Sequence, residues 1–391
     1  MSKTYLNKQY NVLSLFSNIG VAEAYLEELG VNVCVANEID EKRANLYSQI
    51  YPHTKMVCGD ITKDSIKKQI VNLSLEHNIN VVIATPPCQG MSTVGMQDKN
   101  DIRNSLICEV VDVVNKIRPE YIFIENVPMF YNTEITIQGK RVLITDYLKK
   151  ELSSDYLINE YVVDVSDYSV PQIRERAILL ITNKKCTKKW VMPRKDEKKV
   201  TLFDAIGNLP SLDPFIKDIT EEELFELFPD YQKKKTIALK ISKWHKPPVH
   251  IHRQVLSMLH TPTGNSAFDN EFYYPKKENG EAVKGYRNTY KRQNWNTPAY
   301  TVTMDNRKIS SQNNVHPGRK YIAKNGEELY SDPRALTLYE IMIVMSLPLD
   351  WPLPNNVSEA FVRRVIGEGI PPLFVKKVFS NLVGDNEKWE N

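Results

Sequence analysis

The chain has 391 residues, 42% hydrophobic and 25% charged, with a net charge of +3, a balance that suits a globular protein with room for two domains. No apolar run approaches a membrane span, and residues 1–5 contain no apolar stretch of the secretory kind, so a cytoplasmic location is expected. The five cysteines (Cys34, Cys58, Cys88, Cys108, Cys186) form no Cys-x-x-Cys pair, which argues against a disulfide framework or a zinc site.

In chain order, residues 11–16 read as a strand and 21–29 as a helix; 31–36 are β-like and 41–50 helical. Residues 81–83 form another buried strand, 106–116 a helix and 121–125 a strand. A helix over 146–152 leads to strands at 156–164 and 177–182. Repeated β-α units with continuously apolar strands predict an α/β fold, a doubly wound and mostly parallel sheet. Ligands of such sheets bind at the carboxyl ends of the strands. After residue 182 the alternation stops. Residues 184–330 are rich in Lys, Asn, Pro and Tyr, and helical pattern returns at 336–346 and 372–382. The expected division is a first domain over 1–185, completed by 357–391, and a second, smaller, loop-rich domain with a hinge over 186–356.

The charge is unevenly spread. Residues 184–300 hold 22 Lys/Arg against 14 Asp/Glu, a net of +8 that leaves −5 for the rest. A basic segment on a mildly acidic body is the footprint of a part that binds a polyanion.

Chemistry gathers at the strand ends. Ser17-Asn18-Ile19-Gly20 follows the first strand, Asn37-Glu38-Ile39-Asp40 the second, and Gly59-Asp60-Ile61 the third. A tight turn that exposes backbone N–H groups, with carboxylates to accept from ribose and base, is what a nucleoside-type cofactor needs. Each such signal alone is more often a helix cap; the ordered repetition points to a site. Pro86-Pro87-Cys88-Gln89 turns a cysteine toward the same cleft. Glu125 ends the next strand, and Gln172, Arg174 and Arg176 alternate along one face of another. A thiol, a carboxylate and two guanidinium groups converging on one cleft suit attack on an electron-poor ring.

Pro87-Cys88-Gln89, Glu125-Asn126-Val127 and Gln172-x-Arg174-x-Arg176, in this order, resemble the cytosine-C5 DNA methyltransferase family. The resemblance continues in "RALTLYEIMIVMSLP" (334–348), which is similar to the family's Arg-x-Leu-Thr-x-x-Glu element, and ends in "GEGIPP" (367–372). It implies a Rossmann-like methyltransferase fold with S-adenosylmethionine as cofactor and no metal. Phe16 would pack on the adenine, Glu38 bind the ribose, Ile39 cover the other adenine face and Asp60 accept from the adenine amino group. Asn18, Gly20, Ile61, Pro86 and Leu106 would complete the cofactor site, Leu106 near the methionine part. Cys88 would be the nucleophile, Glu125 the carboxyl group on the cytosine edge and Arg176 a contact to cytosine O2, with Arg174 helping to hold Glu125 and the site in register. The basic middle segment would be the target recognition domain.

The implied reaction is addition of the Cys88 thiolate to C6 of a flipped-out cytosine, which makes C5 nucleophilic toward the methyl group, followed by loss of the C5 proton and of the thiolate. The loop over 90–104, with Gly90, Ser92, Gly95 and Gln97, is expected to close over the DNA. Double-stranded DNA is the implied partner, with a restriction endonuclease as functional companion, and a monomer acting at the nucleoid is expected. Two other readings stay open here: a tRNA cytosine-C5 methyltransferase, against which the long basic insertion argues, and a silent DNA-binding homologue.

The sequence departs from the family pattern at four places. Asn18 and Val21 stand where glycines are common, Ser14 replaces an acid, and Glu368 replaces an Asn. Asn tolerates positive φ, so Asn18 is expected to preserve the turn, with Val21 starting the helix. In the basic segment, Trp244, Trp295 and Tyr290 are expected to belong to the domain core. His245, His250 and His252 lack the Cys or acid partners that a metal site would need.

Overall fold

The strands form where apolar residues run without alternation, because both faces of the sheet are covered. The computed structural model describes residues 8–87, 102–277, 279–282, 284, 288–309 and 313–384. Cys88 and most of the loop expected to close over DNA, including Gln89, Gly90, Ser92, Gly95 and Gln97, lie outside the described residues. The first half contains β1 (Tyr10–Leu15), β2 (Val31–Glu38), α1 (Glu41–Ile50), β3 (Lys55–Cys58), α2 (Asp64–Glu76), β4 (Val81–Ala84), α3 (Leu106–Ile117) and β5 (Tyr121–Asn126). A small hairpin, β6 (Glu134–Ile137) and β7 (Lys140–Leu143), precedes α4 (Ile144–Leu152), β8 (Tyr156–Asp164) and β9 (Glu175–Asn183).

Seven strands make one sheet in the order β3-β2-β1-β4-β5-β9-β8. β9 runs antiparallel to both neighbours, and the other ladders are parallel. The order reverses between β1 and β4, the switch point at which doubly wound sheets bind their ligands. The fold is therefore the α/β arrangement expected.

Successive strand residues serve opposite layers. Leu13, Val82, Ile122 and Leu179 pack beneath α2, α3 and α4 through Ile70, Val110, Val114 and Leu148. Val12, Val81, Phe123 and Leu180 face the opposite layer, covered by α11 (Pro372–Val383) through Phe374, Val378 and Phe379. Each such fully buried side chain contributes about 1.5–3 kcal/mol relative to exposure. The C-terminal segment thus completes the body built by the first 183 residues.

The second part holds short helices, α5 (Leu202–Ile206), α6 (Glu221–Leu227), α7 (Tyr231–Ile241) and α8 (His252–Leu259), and two-stranded pieces around its own core of Leu224, Tyr231, Met258, Tyr290 and Val315. A third core joins the two parts. Ile19, Val21, Leu46 and Ile50 pack with Leu202 and Leu336, with α9 (Leu338–Val344) and with α10 (Glu359–Glu368). Trp190, beyond the boundary drawn at 185, lies in the sheet's own core, where its Nε1 donates to Val378 O at 3.0 Å.

Three elements differ from expectation. Residues 21–29 form turns with i→i+3 bonds, Leu26 N to Glu23 O and Leu29 N to Leu26 O, ending in a 3-10 turn at Glu27–Leu29 rather than in an α-helix. Val21 is pinned in the joining core, and left-handed Gly30 stops the run. Helix α2 was not among the expected elements, although Ile66, Ile70 and Leu73 recur at helical spacing and pack on the sheet core. The β6–β7 hairpin turns on Gln138 and Gly139, both at positive φ, a turn whose twist matches the flanking strands.

The Arg334-x-Leu-Thr337-x-x-Glu340 element is a structural device. Thr337 caps α9 by accepting from Glu340 N, and the Glu340 side chain accepts from Thr337 N, a reciprocal capping box. The Arg334 guanidinium lies across both Glu340 oxygens at 2.8 and 2.9 Å and also bonds Asp332 at 2.9 Å. Burial would raise the Glu340 carboxyl, but Arg334 overrides it, and the pKa falls to about 2.

Trp244 and Tyr290 are buried core residues, and Trp295 packs against the joining core, stacked edge-on to His316. His245 bonds Thr337 and His250 accepts from Ala335 N. Among the described residues no three His, Cys, Asp or Glu side chains form a metal-binding set, and no helix is long and apolar enough to cross a membrane.

Candidate active site

The carboxyl edge of the sheet is stitched by side chains from strand to strand. At β2, the Glu38 carboxylate accepts from Asp40 N and Asn18 N, each at 2.9 Å, and so ties the end of β2 to the turn after β1. Burial raises its pKa, while those two N–H groups and Arg43 pull the other way. Phe16 and Asn18 adopt φ of 59° and 51°, and Gly20 one of 82°. Three left-handed residues within five make the tight turn that a nucleotide-like ligand can approach. Asn18 preserves it, as expected.

Next in the sheet, Thr85 at the end of β4 donates through N to Leu15 O and through Oγ1 to Phe16 O. Asn126 at the end of β5 donates to Pro86 O at 3.1 Å. Glu125 beside it accepts from Arg176 Nε at 2.7 Å, both side chains nearly buried. Since β9 is antiparallel, Arg176 near its start stands on the same edge as the ends of β1, β4 and β5. Turn, Pro-Pro corner, carboxylate and guanidinium thus lie side by side, and Cys88 follows the corner directly in sequence.

The other expected residues are placed as follows. Asp60 Oδ1 accepts from Thr62 N and Oγ1, bonds that hold its carboxyl below the usual range. Gly59 N donates to Glu38 O, which brings Asp60 beside the same edge. Ile39 is 66% exposed at the mouth, and Phe16 is half-buried on the sheet core. Ile61 is a buried core residue, and Leu106 begins α3, partly packed on the same core.

Arg174 immediately precedes β9. Its guanidinium donates to Val302 O, Gly367 O and Gly369 O at 2.7–3.0 Å, tying the start of β9 to the later segments. The group that holds Glu125 is Arg176. The Arg174 backbone stays with the end of β8, N donating to Asp164 Oδ1 and O accepting from Val165 N, while Ile173 N donates to Ala299 O.

The four departures in sequence meet partners that sequence reasoning did not identify. Val21 packs against Gly369, where any Cβ would crowd it. Glu368 pairs with Arg43 of α1 at 2.8 Å. Ser14 donates to the buried Glu23 carboxylate at 2.5 Å, so the missing strand acid is supplied from beyond the turn. Asn18 Nδ2 donates to Val365 O. None carries a signal in a single sequence, because each partner lies on another element.

Gly20 is the tightest point. A Cβ there would overlap the Tyr51 ring, and the Tyr51 hydroxyl donates to Gly20 O at 2.5 Å while accepting from Trp351 Nε1. Gly20→Ala is expected to lower stability by about 1–3 kcal/mol through strained φ and displaced Tyr51. Thermal denaturation reads this directly, and an unchanged Tm would mean that the turn tolerates a side chain.

The profile of the family described as C-5 cytosine-specific DNA methylase matches residues 10–384. The chain is 40% identical over 386 residues to a Type II methyltransferase, M1.HgaI, of Avibacterium volantium, covering 97% of this chain and all of that protein. It is 26% identical to M.XorII of Xanthomonas oryzae pv. oryzae over 94% of this chain and 82% of that one. A crystal structure of a putative prophage-encoded DNA modification methyltransferase from E. coli superposes with a TM-score of 0.63 at 22% identity, covering 96% and 98% of the two chains. With the family profile spanning nearly the whole length, from β1 through α11, and the switch-point edge assembled as described, the chain belongs to the C-5 cytosine-specific DNA methylase family.

Proposed function

We propose that the protein transfers the methyl group of S-adenosylmethionine to C5 of a flipped-out cytosine in a specific duplex sequence, and that this protects host DNA from a companion restriction endonuclease. The observation that carries the reading is the Glu125–Arg176 pair beside the Pro86–Pro87 corner, one strand from the left-handed turn.

The Phe16–Gly20 turn, Glu38, Ile39 and Asp60 would hold the nucleoside, with Leu106 near its methionine end. The cofactor supplies an electrophilic methyl group when bound. Cys88 adds as thiolate to C6 of the pyrimidine. Glu125, held by Arg176, donates its carboxyl proton to N3 as the thiolate adds, which leaves a neutral enamine nucleophilic at C5, and takes the proton back when the thiolate leaves. Once C5 is methylated, a base removes its proton and the C6–S bond breaks, restoring the thiolate. Arg176 keeps Glu125 oriented and can turn its remaining N–H groups to O2. Low exposure of the pair strengthens these charge-assisted bonds.

The two-part division supports a sheet domain for catalysis and residues 186–356 for target recognition. Not every cation there is available to DNA: Arg292 and Arg334 are fully buried on carbonyl and carboxylate oxygens. The exposed lysines remain, and DNA affinity is expected to fall about 10²-fold or more between roughly 50 and 200 mM salt. A flat response in a filter-binding titration would remove the phosphate-contact argument. Cytoplasmic action as a monomer completes the proposal. Bisulfite sequencing of DNA from cells expressing the protein tests it. Conversion-resistant cytosines in one sequence context are expected, and unmodified DNA together with methylated tRNA would transfer the reading to RNA.

A further inference from the structure

Beneath the turn after β1 lies a carboxyl group that the proposed chemistry does not use. Glu23 is 3% exposed. One of its oxygens accepts from Ser14 Oγ at 2.5 Å, and the other, Oε2, is buried without a hydrogen-bond partner. The bond runs from the segment after the turn back to the strand before it, closing a loop around residues 15–22. Within that loop sit Phe16, Asn18 and Gly20, the three left-handed residues that give the turn its shape.

The groups that face Glu23 are neutral. On β1 it meets Ser14; from α1 come Tyr47 and Tyr51, whose phenols burial and then Glu23 itself keep protonated. Tyr47 lies beside the Thr54 hydroxyl, and Tyr51 OH is committed to Gly20 O and Trp351. On α1, Arg43 is engaged with Glu368. Among the described residues no Lys, Arg or His pairs with Glu23, and a negative charge there is eased by the Ser14 hydroxyl and its own backbone N–H without any counter-ion.

We infer that Glu23 is a positioning residue for the cofactor site: through Ser14 and the Tyr47–Tyr51 layer it holds the Phe16–Gly20 turn in the shape that receives a sulfonium nucleoside. Burial pushes the Glu23 carboxyl up to about 7, against the pull of the Ser14 bond. Below that pH the neutral acid fits its uncharged surroundings. Above it, a buried anion without a counter-charge favours opening of the segment toward water. A group whose folded pKa is raised in this way costs the folded state progressively as pH rises from the ordinary carboxylate range through about 7. Cofactor binding needs the closed turn and therefore weakens over the same window.

The inference rests on the reading of this turn as the cofactor site. The test is calorimetric titration of the full chain with S-adenosylhomocysteine, in wild type, Glu23→Gln and Glu23→Ala, from pH 6 to 8.5. The ligand's own amino group titrates alike in all three, so the comparison between proteins isolates Glu23. Relative to Glu23→Gln, whose neutral amide keeps the acceptor for Ser14, the wild-type Kd is expected to weaken about tenfold from the lower to the higher pH. Glu23→Ala, lacking the link, should bind about tenfold more weakly than wild type at pH 6, with the loss in KM for the cofactor and not in kcat. Identical pH slopes for wild type and Glu23→Gln would overturn the inference, as would wild-type affinity in Glu23→Ala at pH 6. If no form binds the ligand at any pH, the cofactor assignment of the turn falls, and the inference with it.

Discussion

Cys88→Ser is expected to lower methyl transfer by about 10⁴-fold or more, the scale on which loss of a covalent nucleophile acts, and to leave thermal unfolding unchanged. The oxygen nucleophile is far weaker at neutral pH, since an alcohol is almost wholly protonated where a thiol beside cations is partly ionised. The pyrimidine has no other route to a nucleophilic C5: without addition at C6 the ring keeps its aromatic stabilisation. The complementary result concerns the wild type with a duplex carrying 5-fluorocytosine at the target. Addition and methylation proceed, but the C5 fluorine cannot leave as a proton does, so the C6–S bond persists. Mass spectrometry should then record protein plus oligonucleotide as one species, absent for Cys88→Ser. Robust turnover by the serine variant, or no adduct from wild type with cofactor and duplex present, would remove Cys88 from the mechanism.

The second large effect is on stability. Arg334→Ala should cost about 3–5 kcal/mol, because it leaves Glu340 and Asp332 buried without their shared cation. Arg334 and Glu340 are both fully buried and bonded two-to-two. Urea unfolding gives the loss directly. A double change, Arg334→Met with Glu340→Met, should recover much of it, since removing both charges also removes their desolvation. The same pair sets an acid limit. Glu340 is depressed to about 2, so its contribution is full above the ordinary carboxylate range and is lost as pH falls toward that value. An Arg334→Ala protein within about 1 kcal/mol of wild type would mean that this layer is held by packing alone.

These two predictions separate what the motifs do. Pro87-Cys88-Gln89 and Glu125-Asn126 are proposed to bear on chemistry, whereas the Arg334–Glu340 element, equally recognisable in sequence, caps a helix and locks a buried ion pair. A motif says that residue types recur at a spacing. Only their surroundings say whether substrate or the protein's own core takes up their hydrogen bonds.

The strands were legible because continuous apolar runs have one explanation in a sheet covered on both faces, and α1 and β8 fell where the pattern put them. The parallel strands deliver their carboxyl ends to one edge, and antiparallel β9 brings its start there. Local propensity did not reveal the turns at 21–29, where packing of Val21 and the left-handed Gly30 override a helical pattern. Nor could it assign Arg174 and Arg176 their different tasks, because i and i+2 share a face only while the strand lasts, and β9 begins at Glu175. The pairings Ser14–Glu23, Val21–Gly369 and Arg43–Glu368 tie down the switch-point edge, and two of the three span more than 300 residues. Periodicity along a chain records which way a side chain faces; which group it meets there depends on the folding of distant segments onto that face, and that was decided in three dimensions alone.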